Sequence, residues 1–368
     1  MADESSATSH LSVAMATQEI DKTQTTGVIS KMSSASAGYG SDFYMRLGVV
    51  VIGVVGTAGN GLVLYALFAS KQHKKHVLIV NQNILDLFGS FFLSVTFAVH
   101  MFNIPLSGEL GYWLCMMLLS EILIWWGTNG SMINLAIITI DRYLMVVHPM
   151  FSKRWLRPWV IYSACALSWF VGILWNTPLV FHSTEVIDGI CLSYVIADDD
   201  VANIANVIAY IVLFYFIILA IFIFCYWRIL LVIRRQARVM ASHSAAGPSN
   251  ASQAQSHRIQ SNVIKTMILV SALYAIAWLP FNIYYLLATV ELIPHLSFSD
   301  SRYYALTCIA FLYTTTNPFI YATKFNPVKK ILMKMVPCKK TPVQPTALTL
   351  STISRTTNRR AAQYEERY

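Results

Sequence analysis

Charged and polar side chains interrupt two long apolar stretches of this chain, at positions where they could bind a partner. The third stretch ends in Asp141-Arg142-Tyr143, and the seventh contains Asn317-Pro318 within an otherwise apolar run. An ionised pair at the end of a membrane-length helix is costly unless it faces water or has a function. A proline inside a helix removes a backbone hydrogen bond and kinks the helix. Both positions are therefore candidate functional sites.

The composition is that of a membrane protein. Of the 368 residues, 56% are hydrophobic and 12% are charged, whereas charged residues make up roughly a quarter of a soluble domain. Seven stretches reach the roughly 20 residues that cross about 30 Å of hydrocarbon. These stretches, spans one to seven, are about Leu47–Phe68, Val77–His100, Trp113–Ile140, Pro158–Phe181, Ala205–Tyr226, Val263–Leu287 and Tyr303–Ala322. We predict an all-α membrane protein, a seven-transmembrane helix bundle at 45–338, between a disordered extracellular segment 1–44 and a disordered cytoplasmic tail 339–368.

The basic residues predict the orientation, because cytoplasmic loops carry an excess of Lys and Arg. Only Lys22, Lys31, Arg46 and Arg302 fall on one side. The opposite side carries Lys71, Lys74, Lys75, Lys153, Arg154, Arg157, Arg228, Arg234, Arg235, Arg238, Lys329 and Lys330, among others. We therefore expect a multi-pass plasma-membrane protein with an extracellular amino terminus. No cleavable signal peptide is visible, so span one would act as the insertion signal. The net charge of +9 is explained by topology without a nucleic-acid partner.

A short basic segment follows span seven. Val328–Val336 reads as an amphipathic eighth helix lying on the lipid of the inner leaflet. Cys338 comes just after this segment and is a candidate for palmitoylation. A plain free thiol is the alternative.

The cysteines and one turn signal predict the outer surface. Cys115, at the top of span three, and Cys191, in the second outer loop, both fall on the oxidising side and can form a disulfide. The loop alternates like two strands from Phe181 to Val195 around the turn pair Asp188-Gly189. A hairpin lid is the preferred interpretation, and an irregular lid is the alternative.

Taken together, these motifs resemble the rhodopsin-like (class A) G-protein-coupled receptors. Arg142 precedes Trp169 by 169 − 142 = 27 residues, which matches the family's spacing, and Trp278 and Pro280 resemble its sixth-span switch, with Ala277 for the usual cysteine. The resemblance covers roughly residues 45–338. It implies a receptor, closest in character to the peptide receptors, and not an enzyme.

The resemblance also implies how the cytoplasmic side works. Arg142 is held by Asp141 at rest and swings toward Tyr226 and Tyr321 when span six moves outward, which opens a cleft for a heterotrimeric G protein. Met150 would be an apolar plug into that G protein, with an ordinary surface residue as the alternative. Coupling and activation are thus assigned to Asp141, Arg142, Tyr143, Met150, Tyr226, Asn317, Pro318 and Tyr321. The hydroxyl-rich tail suits receptor kinases and arrestin.

Asp86 lies near the middle of span two, where an ionisable group costs several kcal/mol unless it has partners or water. We expect its partners to be the polar residues at matching depth, Asn60, Ser131, Thr314 and Asn317. The resemblance assigns Asp86, Ser131 and Asn317 to a bound sodium ion, a hard cation that prefers oxygen ligands. A buried hydrogen-bond network without an ion is the alternative. Tyr313 stands where the family more often has a small polar residue, and its ring could crowd the ion.

Other positions depart from the family pattern. Ile218 replaces a proline, Tyr274 replaces a phenylalanine below the switch, and Gln260 replaces the acid that would pair with Arg142, so we expect a less tightly held resting state. Cys115 lies 142 − 115 = 27 residues before Arg142, about two more than usual. Its disulfide therefore needs a bulge or a longer helix end.

The resemblance to the family implies two further roles. Asn81 is positioned to hydrogen-bond the indole of Trp169, and Trp278 would form the floor of a ligand pocket.

The ligand is constrained mainly by exclusion. No lysine lies between Tyr303 and Tyr321, and Phe311 occupies the site where opsins attach retinal, which argues against a photopigment. Ile124 takes the place of the aspartate of amine receptors. Glu121, one turn further out, could serve as a substitute counter-ion.

The predicted vestibule is acidic, with Glu185, Asp188, Asp198, Asp199, Asp200, Glu291 and Asp300. Such a field steers cationic ligands, so we expect a basic peptide. The candidate ligand-binding residues are Glu121, Ile124, Trp278, Asp198, Asp199, Asp200 and Glu291. An amine or lipid ligand is the alternative. A transporter is disfavoured because internal repeats and paired broken helices are missing, and a membrane enzyme because the histidines are scattered.

Overall fold

The computed structural model describes residues 43–102, 104–192, 200–243, 250–292, 301–324 and 326–335. Within these residues seven long helices follow one another, and each corresponds to one predicted span. Their bounds are Phe43–Ala69, Val77–His100, Gly108–Val147, Pro158–Ser183, 200–243, Asn250–Thr289 and Ser301–Lys324. The all-α seven-helix prediction is confirmed. Most of the observed helices continue beyond the predicted spans at one or both ends.

Six of these helices are long and apolar enough to cross a membrane. Span seven is less apolar, because threonines, Asn317 and Pro318 interrupt it. Its 24 residues still measure about 36 Å at 1.5 Å per residue, which is enough to cross the hydrocarbon.

Glycines allow span three to pack closely against spans two and four. A Cβ on Gly127 would lie 2.7 Å from the backbone nitrogen of Gly89, and a Cβ on Gly172 would lie 2.6 Å from the carbonyl oxygen of Trp126. Any larger side chain would force these backbones apart. Such close approach of small residues is typical of helix packing in membranes, where van der Waals contact holds helices together.

Span three is interrupted near its outer end. An α-helix at Gly108–Leu114 continues as a π-helical turn at Cys115–Leu119, and a regular helix resumes at Ile122–Val147. Between them Glu121 adopts a left-handed backbone, with φ 61°. The bulge predicted from the early position of Cys115 is therefore present.

Span five contains a similar irregularity without a proline. Its helix runs over Asp200–Ile211, passes through a π turn at Val212–Phe216 and continues over Ile217–His243. A π turn leaves backbone carbonyls without their usual helical partners, so neighbouring side chains must satisfy them.

The second outer loop forms the predicted hairpin. Strand β1, Glu185–Ile187, pairs antiparallel with β2, Ile190–Leu192. The turn residues Asp188 and Gly189 have φ of 51° and 77°, as a two-residue hairpin turn requires. Cys191 in β2 is bonded to Cys115, which confirms the predicted disulfide.

Two short helices lie outside the spans. Pro149–Trp155 follows span three, and Asn326–Met335 corresponds to the predicted eighth helix. The chain divides into two units, one up to Ile331 and one from Leu332 onward. Of the second unit only the last four residues of the final helix are described, so Cys338 and the predicted tail 339–368 lie outside the described residues.

Candidate functional site

A cavity of about 590 Å³ lies at the end of the helices that carries the β1–β2 hairpin. Its wall is rich in aromatic side chains: Phe97, Trp125, Trp175, Tyr210, Phe281, Tyr285, Tyr303 and Tyr304. Clefts of this volume, mainly apolar with a few polar groups, are the usual binding sites for small ligands. We therefore treat it as the candidate ligand site.

The charged side chains that line this cavity differ in how free they are to bind a ligand. Glu121 and Glu291 contribute carboxylates, and Arg46 contributes a guanidinium. Arg46 is already engaged, because it donates to the carbonyl oxygen of His100 at 3.0 Å and to the Tyr304 hydroxyl at 3.2 Å. Its guanidinium carbon also lies 5.3 Å from the Tyr304 ring centre. Glu121 also shares a side-chain hydrogen bond with Trp125, whereas Glu291 is exposed, and these two are the acidic groups that a ligand in the cavity would meet.

Glu121 is placed in the cavity by the break in span three. Its left-handed backbone is uncommon for a residue with a side chain and costs roughly 1 kcal/mol or more. Ser120 stabilises the break, because its hydroxyl donates to the carbonyl of Met116 and accepts from the backbone N–H of Ile122 at 3.4 Å. The regular helix then begins with Trp125 N–H donating to the Glu121 carbonyl at 3.1 Å. Glu121 and Trp125 therefore line the same wall, one turn apart.

The predicted ligand-binding residues occupy different places. Glu121 and Glu291 line the cavity, whereas Ile124 and Trp278 are buried and do not belong to its wall. Asp198 and Asp199 lie outside the described residues, as does the side chain of Asp200.

The aromatic wall itself was not predicted. Trp175, Tyr210 and Tyr285 line the cavity, yet in the sequence each is one aromatic among many in apolar stretches. A usable signal exists in span six, where Phe281 and Tyr285 are four residues apart and therefore share one helix face with Trp278.

Trp278 lies among aromatic rings. Its ring centre is 6.3 Å from that of Trp125, 5.6 Å from Phe281 and 5.6 Å from Phe311. Trp125 and Phe281 belong to the cavity wall, so a ligand would reach Trp278 through these two rings. Pro280 follows inside the same helix.

The Asp86 carboxylate accepts hydrogen bonds from three side chains. Ser131 Oγ donates at 2.5 Å, Asn317 Nδ2 at 2.9 Å, and Gln82 Nε2 at 3.3 Å to each carboxylate oxygen. Ser131 and Asn317 are thus brought to Asp86 as predicted. Gln82 was not foreseen, although its position one turn before Asp86 on span two could have indicated it.

The other two predicted partners bond elsewhere. Asn60 Nδ2 donates to the carbonyls of Gly56 at 2.9 Å and Thr314 at 3.3 Å. Thr314 Oγ1 donates to the Phe311 carbonyl at 2.8 Å. The expectation that Asn60 and Thr314 bond Asp86 is therefore wrong: both turn to backbone carbonyls that lie within reach.

The predicted contact between spans two and four is present. Trp169 Nε1 donates to Asn81 Oδ1 at 3.0 Å. Asn81 Nδ2 donates onward to Asn134 Oδ1 at 2.9 Å, so the contact belongs to a longer polar network.

At the end of the helices opposite the cavity, Arg142 Nε lies 3.6 Å from Asp141 Oδ2, as the predicted resting arrangement requires. Tyr226 is held elsewhere, with its hydroxyl 3.0 Å from Thr139 Oγ1 and 3.0 Å from Ser271 Oγ. Tyr321 is fully buried, and its hydroxyl has no hydrogen-bond partner among the described residues. Spans three, five and six thus meet at Tyr226.

The surface around Arg142 is open. Met150 is 79% exposed on the short helix Pro149–Trp155, and the Tyr143 hydroxyl lies 3.2 Å from Nε2 of His148. His76, just before span two, is partly buried. Burial, together with the charges of Arg142 and Lys75, lowers the pKa of His76 to about 4.

Comparisons with known proteins agree with this arrangement. A sequence profile of the family described as "7 transmembrane receptor (rhodopsin family)" matches residues 59–321. Melanopsin-A of Gadus morhua is 29% identical over 299 residues, which are 79% of this chain and 52% of the relative. Somatostatin receptor type 5 of Rattus norvegicus is 26% identical over 284 residues, 74% of this chain and 72% of that receptor. Substance-K receptor of Homo sapiens is 27% identical over 311 residues, 82% of this chain and 73% of that receptor.

The fold is also that of a solved receptor structure. The crystal structure of squid rhodopsin matches with a TM-score of 0.65 and 20% identity, over 81% of this chain and 86% of that one. The chain spans about half the length of the two melanopsins of Gadus morhua that it matches. The family profile nevertheless covers most of the chain. This multi-pass membrane protein therefore belongs to the rhodopsin family of seven-transmembrane receptors, and not to a family of enzymes.

Proposed function

We propose that the chain is a plasma-membrane receptor with an extracellular amino terminus, which binds a cationic extracellular ligand and activates a heterotrimeric G protein. The first candidate for the ligand is a basic peptide. The observation that carries the proposal is the position of Glu121, whose carboxylate lines a cavity built mainly of aromatic rings.

A cation suits this cavity for two reasons. A carboxylate among apolar rings gains more from an ionic partner than it would in water, because the local dielectric is low. The aromatic faces add cation–π attraction of about 0.5–2 kcal/mol for each well-placed ring. Glu291 also lines the cavity and adds to the negative field. An anionic ligand would meet both carboxylates and only one guanidinium, which is already bonded to Tyr304.

A peptide is favoured over a small amine by the outer loop. The hairpin tip is tied to the loop after span two, because Leu106 N–H donates to the Gly189 carbonyl at 3.1 Å. The disulfide holds β2 to span three. An ordered hairpin of this kind gives a peptide a surface outside the cavity. One cationic end would enter the cavity while the remainder stays over the loops.

The relatives point to more than one kind of receptor. Somatostatin and substance-K receptors stand beside melanopsins at similar identity. A photopigment of the opsin kind needs a lysine in span seven. The segment Tyr303–Tyr321 has none, and Phe311 is buried with its ring 5.6 Å from Trp278. This difference favours the peptide interpretation.

The test begins with a library of cationic peptides and amines, screened on cells that express the receptor, with second-messenger and arrestin readouts. The agonist found is then tested on Glu121→Gln, which keeps the shape of the side chain and removes its charge. We expect a 10- to 100-fold loss of potency, since losing one partner of a desolvated ion pair costs about 2–5 kcal/mol, reduced here by the water in an open cavity. The matched control is Glu291→Gln, with an expected loss below about fivefold because Glu291 is exposed.

A derivative of the same agonist with its amine acetylated completes a double-mutant cycle with Glu121→Gln, because it removes the charge from the ligand side. It should bind wild type weakly and be indifferent to Glu121→Gln. An agonist that is neutral or anionic, or one whose potency is equal on wild type and Glu121→Gln, contradicts the proposal.

A small amine is the second candidate, and the aspartates 198–200 separate it from a peptide. Replacing Asp198, Asp199 and Asp200 with Asn should slow the association of a basic peptide and flatten its salt dependence, because exposed charges act mainly on encounter. A small amine that enters the cavity alone should associate at an unchanged rate.

A further inference from the structure

The side-chain amide of Gln82 occupies the position against Asp86 that a cation would need. Gln82 and Asp86 are one turn apart on span two, and both are fully buried. Asp86 Oδ1 accepts from Ser131 and Gln82, and Asp86 Oδ2 accepts from Asn317 and Gln82. A carboxylate offers about four acceptor sites, two on each oxygen. Gln82 Nε2 also donates to Ser131 Oγ at 2.5 Å, so one of its two N–H groups is directed at Ser131 and the other is shared between the two Asp86 oxygens.

The orientation of the Gln82 amide is fixed by its neighbours. Asn134 Nδ2 donates to the backbone carbonyl of Leu78 at 3.0 Å and to Gln82 Oε1 at 2.8 Å. A backbone carbonyl can only accept, so Asn134 must present its nitrogen to both. Gln82 Oε1 therefore accepts from Asn134, and Gln82 Nε2 is left to face Asp86 and Ser131.

A second anchor gives the same result from the other end. The Trp169 indole can only donate, and it donates to Asn81 Oδ1 at 3.0 Å. Asn81 must then present Nδ2 to Asn134 Oδ1, at 2.9 Å. Each amide donates to the next member of the series, so the relay Trp169, Asn81, Asn134, Gln82 ends on Asp86.

A sodium ion does not fit this donor set. A hard cation binds through oxygen lone pairs, but Gln82 turns its N–H groups toward Ser131 and the Asp86 carboxylate, and its own oxygen is used by Asn134. Binding would require the Gln82 amide to turn over, which breaks its bonds to Asp86, Ser131 and Asn134. Asn60 Oδ1, which lacks a partner among the described residues, is an acceptor that water can satisfy, and the Tyr313 hydroxyl lies within reach of Asn317 and Ser131.

We propose that Gln82 replaces the sodium ion as the internal partner of Asp86, so that this receptor, unlike the family pattern that it otherwise resembles, is insensitive to sodium at this site. The Asp86 charge is compensated by dipoles fixed in the fold instead of by an exchangeable ion. The proposal is independent of the ligand.

The test uses sodium itself as the probe on purified full-length receptor. Thermal unfolding is measured in sodium chloride and in N-methylglucamine chloride at equal ionic strength, because an ion that binds only the folded state raises the midpoint. Wild type should show equal midpoints. Gln82→Met, which keeps the length of the side chain but has no N–H, should gain a sodium-dependent rise of about 2–4 °C. The rise should be missing from the double variant Gln82→Met with Asp86→Asn.

Two outcomes would overturn the proposal. One is a wild-type midpoint that rises with sodium and loses this rise in Asp86→Asn. The other is a Gln82→Met receptor that folds and remains indifferent to sodium, because the amide would then not be the cause. Should Gln82→Met fail to fold, Gln82→Leu serves in its place, and the comparison of wild type with Asp86→Asn still decides the first outcome.

Discussion

The hydroxyl of Tyr274 in span six donates a hydrogen bond to the backbone carbonyl of Phe214 in span five. The exchange is reciprocal, since the Tyr215 hydroxyl donates to the carbonyl of Ala275 at 2.9 Å. Phe214 lies in the π turn Val212–Phe216, which leaves carbonyls available to outside donors. The two tyrosines thus hold span six against span five. A phenylalanine in place of Tyr274, which the family usually has, could not form the first of these bonds.

Tyr274→Phe should therefore raise ligand-free signalling. A hydrogen bond of this kind contributes about 0.5–1.5 kcal/mol, so its loss should shift the resting equilibrium about 2- to 10-fold toward the state with span six outward. The measurement is basal second-messenger output at matched surface expression. Tyr215→Phe removes the reciprocal bond and should act in the same direction. Unchanged basal output in both variants would show that other contacts hold span six.

Arg142→Ala should lower agonist-driven second-messenger output by at least about tenfold, while surface expression and ligand binding persist. Arg142 is close to Asp141 and only partly exposed, so its loss removes a charge from the proposed G protein cleft without opening the core. Arg154→Ala, on the exposed short helix, is the matched control and should signal normally. Full signalling by Arg142→Ala would contradict the role given to this residue.

Cys115→Ser and Cys191→Ser should each reduce surface expression and thermal stability. The disulfide closes a sequence separation of 76 residues, and cross-links of this kind contribute about 2–4 kcal/mol. The midpoint of thermal unfolding and the surface level by antibody staining are the measurements. Cys165→Ser and Cys308→Ser change free cysteines and should leave both close to wild type. Equal stability of all four variants would argue against the bond.

Acid should weaken the fold partly through His76. Because the folded-state pKa of His76 is lowered to about 4, the unfolded chain binds a proton that the folded chain excludes between about pH 6.5 and 4. Stability is then complete above about pH 6.5 and declines as the pH falls toward 4. The side chain is only partly buried, so water screens the effect to roughly 1 kcal/mol.

His76→Gln should remove this part of the acid sensitivity, and thermal unfolding at pH 7.5 and 5 measures it. His73→Gln is the control and should keep the wild-type pH dependence. An identical loss of stability on acidification in wild type and His76→Gln would exclude His76 as the source.

The sequence predicted the helices well because membrane-length apolar runs carry a strong signal. Val77–His100 is reproduced at both ends. The hairpin was predictable as well, since Asp188-Gly189 between two alternating segments is a strong signal for a two-residue hairpin turn. Helix ends were less predictable, because Asn250–Thr289 continues past the hydrocarbon into polar sequence that carries no apolar signal.

The site was predictable where the family resemblance supplied a contact that the residue types also suit. The resemblance assigned Asn81 to Trp169, whose indole N–H needs an acceptor. The contact of Gln82 was not predicted, because a single glutamine in an apolar span has no characteristic spacing from its partner. Which partner it meets depends on the rotation of the helix. The prediction that Gln260 leaves Arg142 without its usual acidic partner stays a prediction, since the Gln260 side chain lies outside the described residues.

The π turn and left-handed residue in span three change how positions can be equated between this receptor and its relatives. Each extra residue in a regular helix turns everything beyond it by about 100°. Counting outward from Arg142 therefore assigns correct equivalents only as far as Ile122. For the residues of span three that precede Glu121, ligand contacts transferred from a relative by counting from Arg142 would be assigned to the wrong side chains. Equivalent positions there are better assigned by superposing the structures on Cys115.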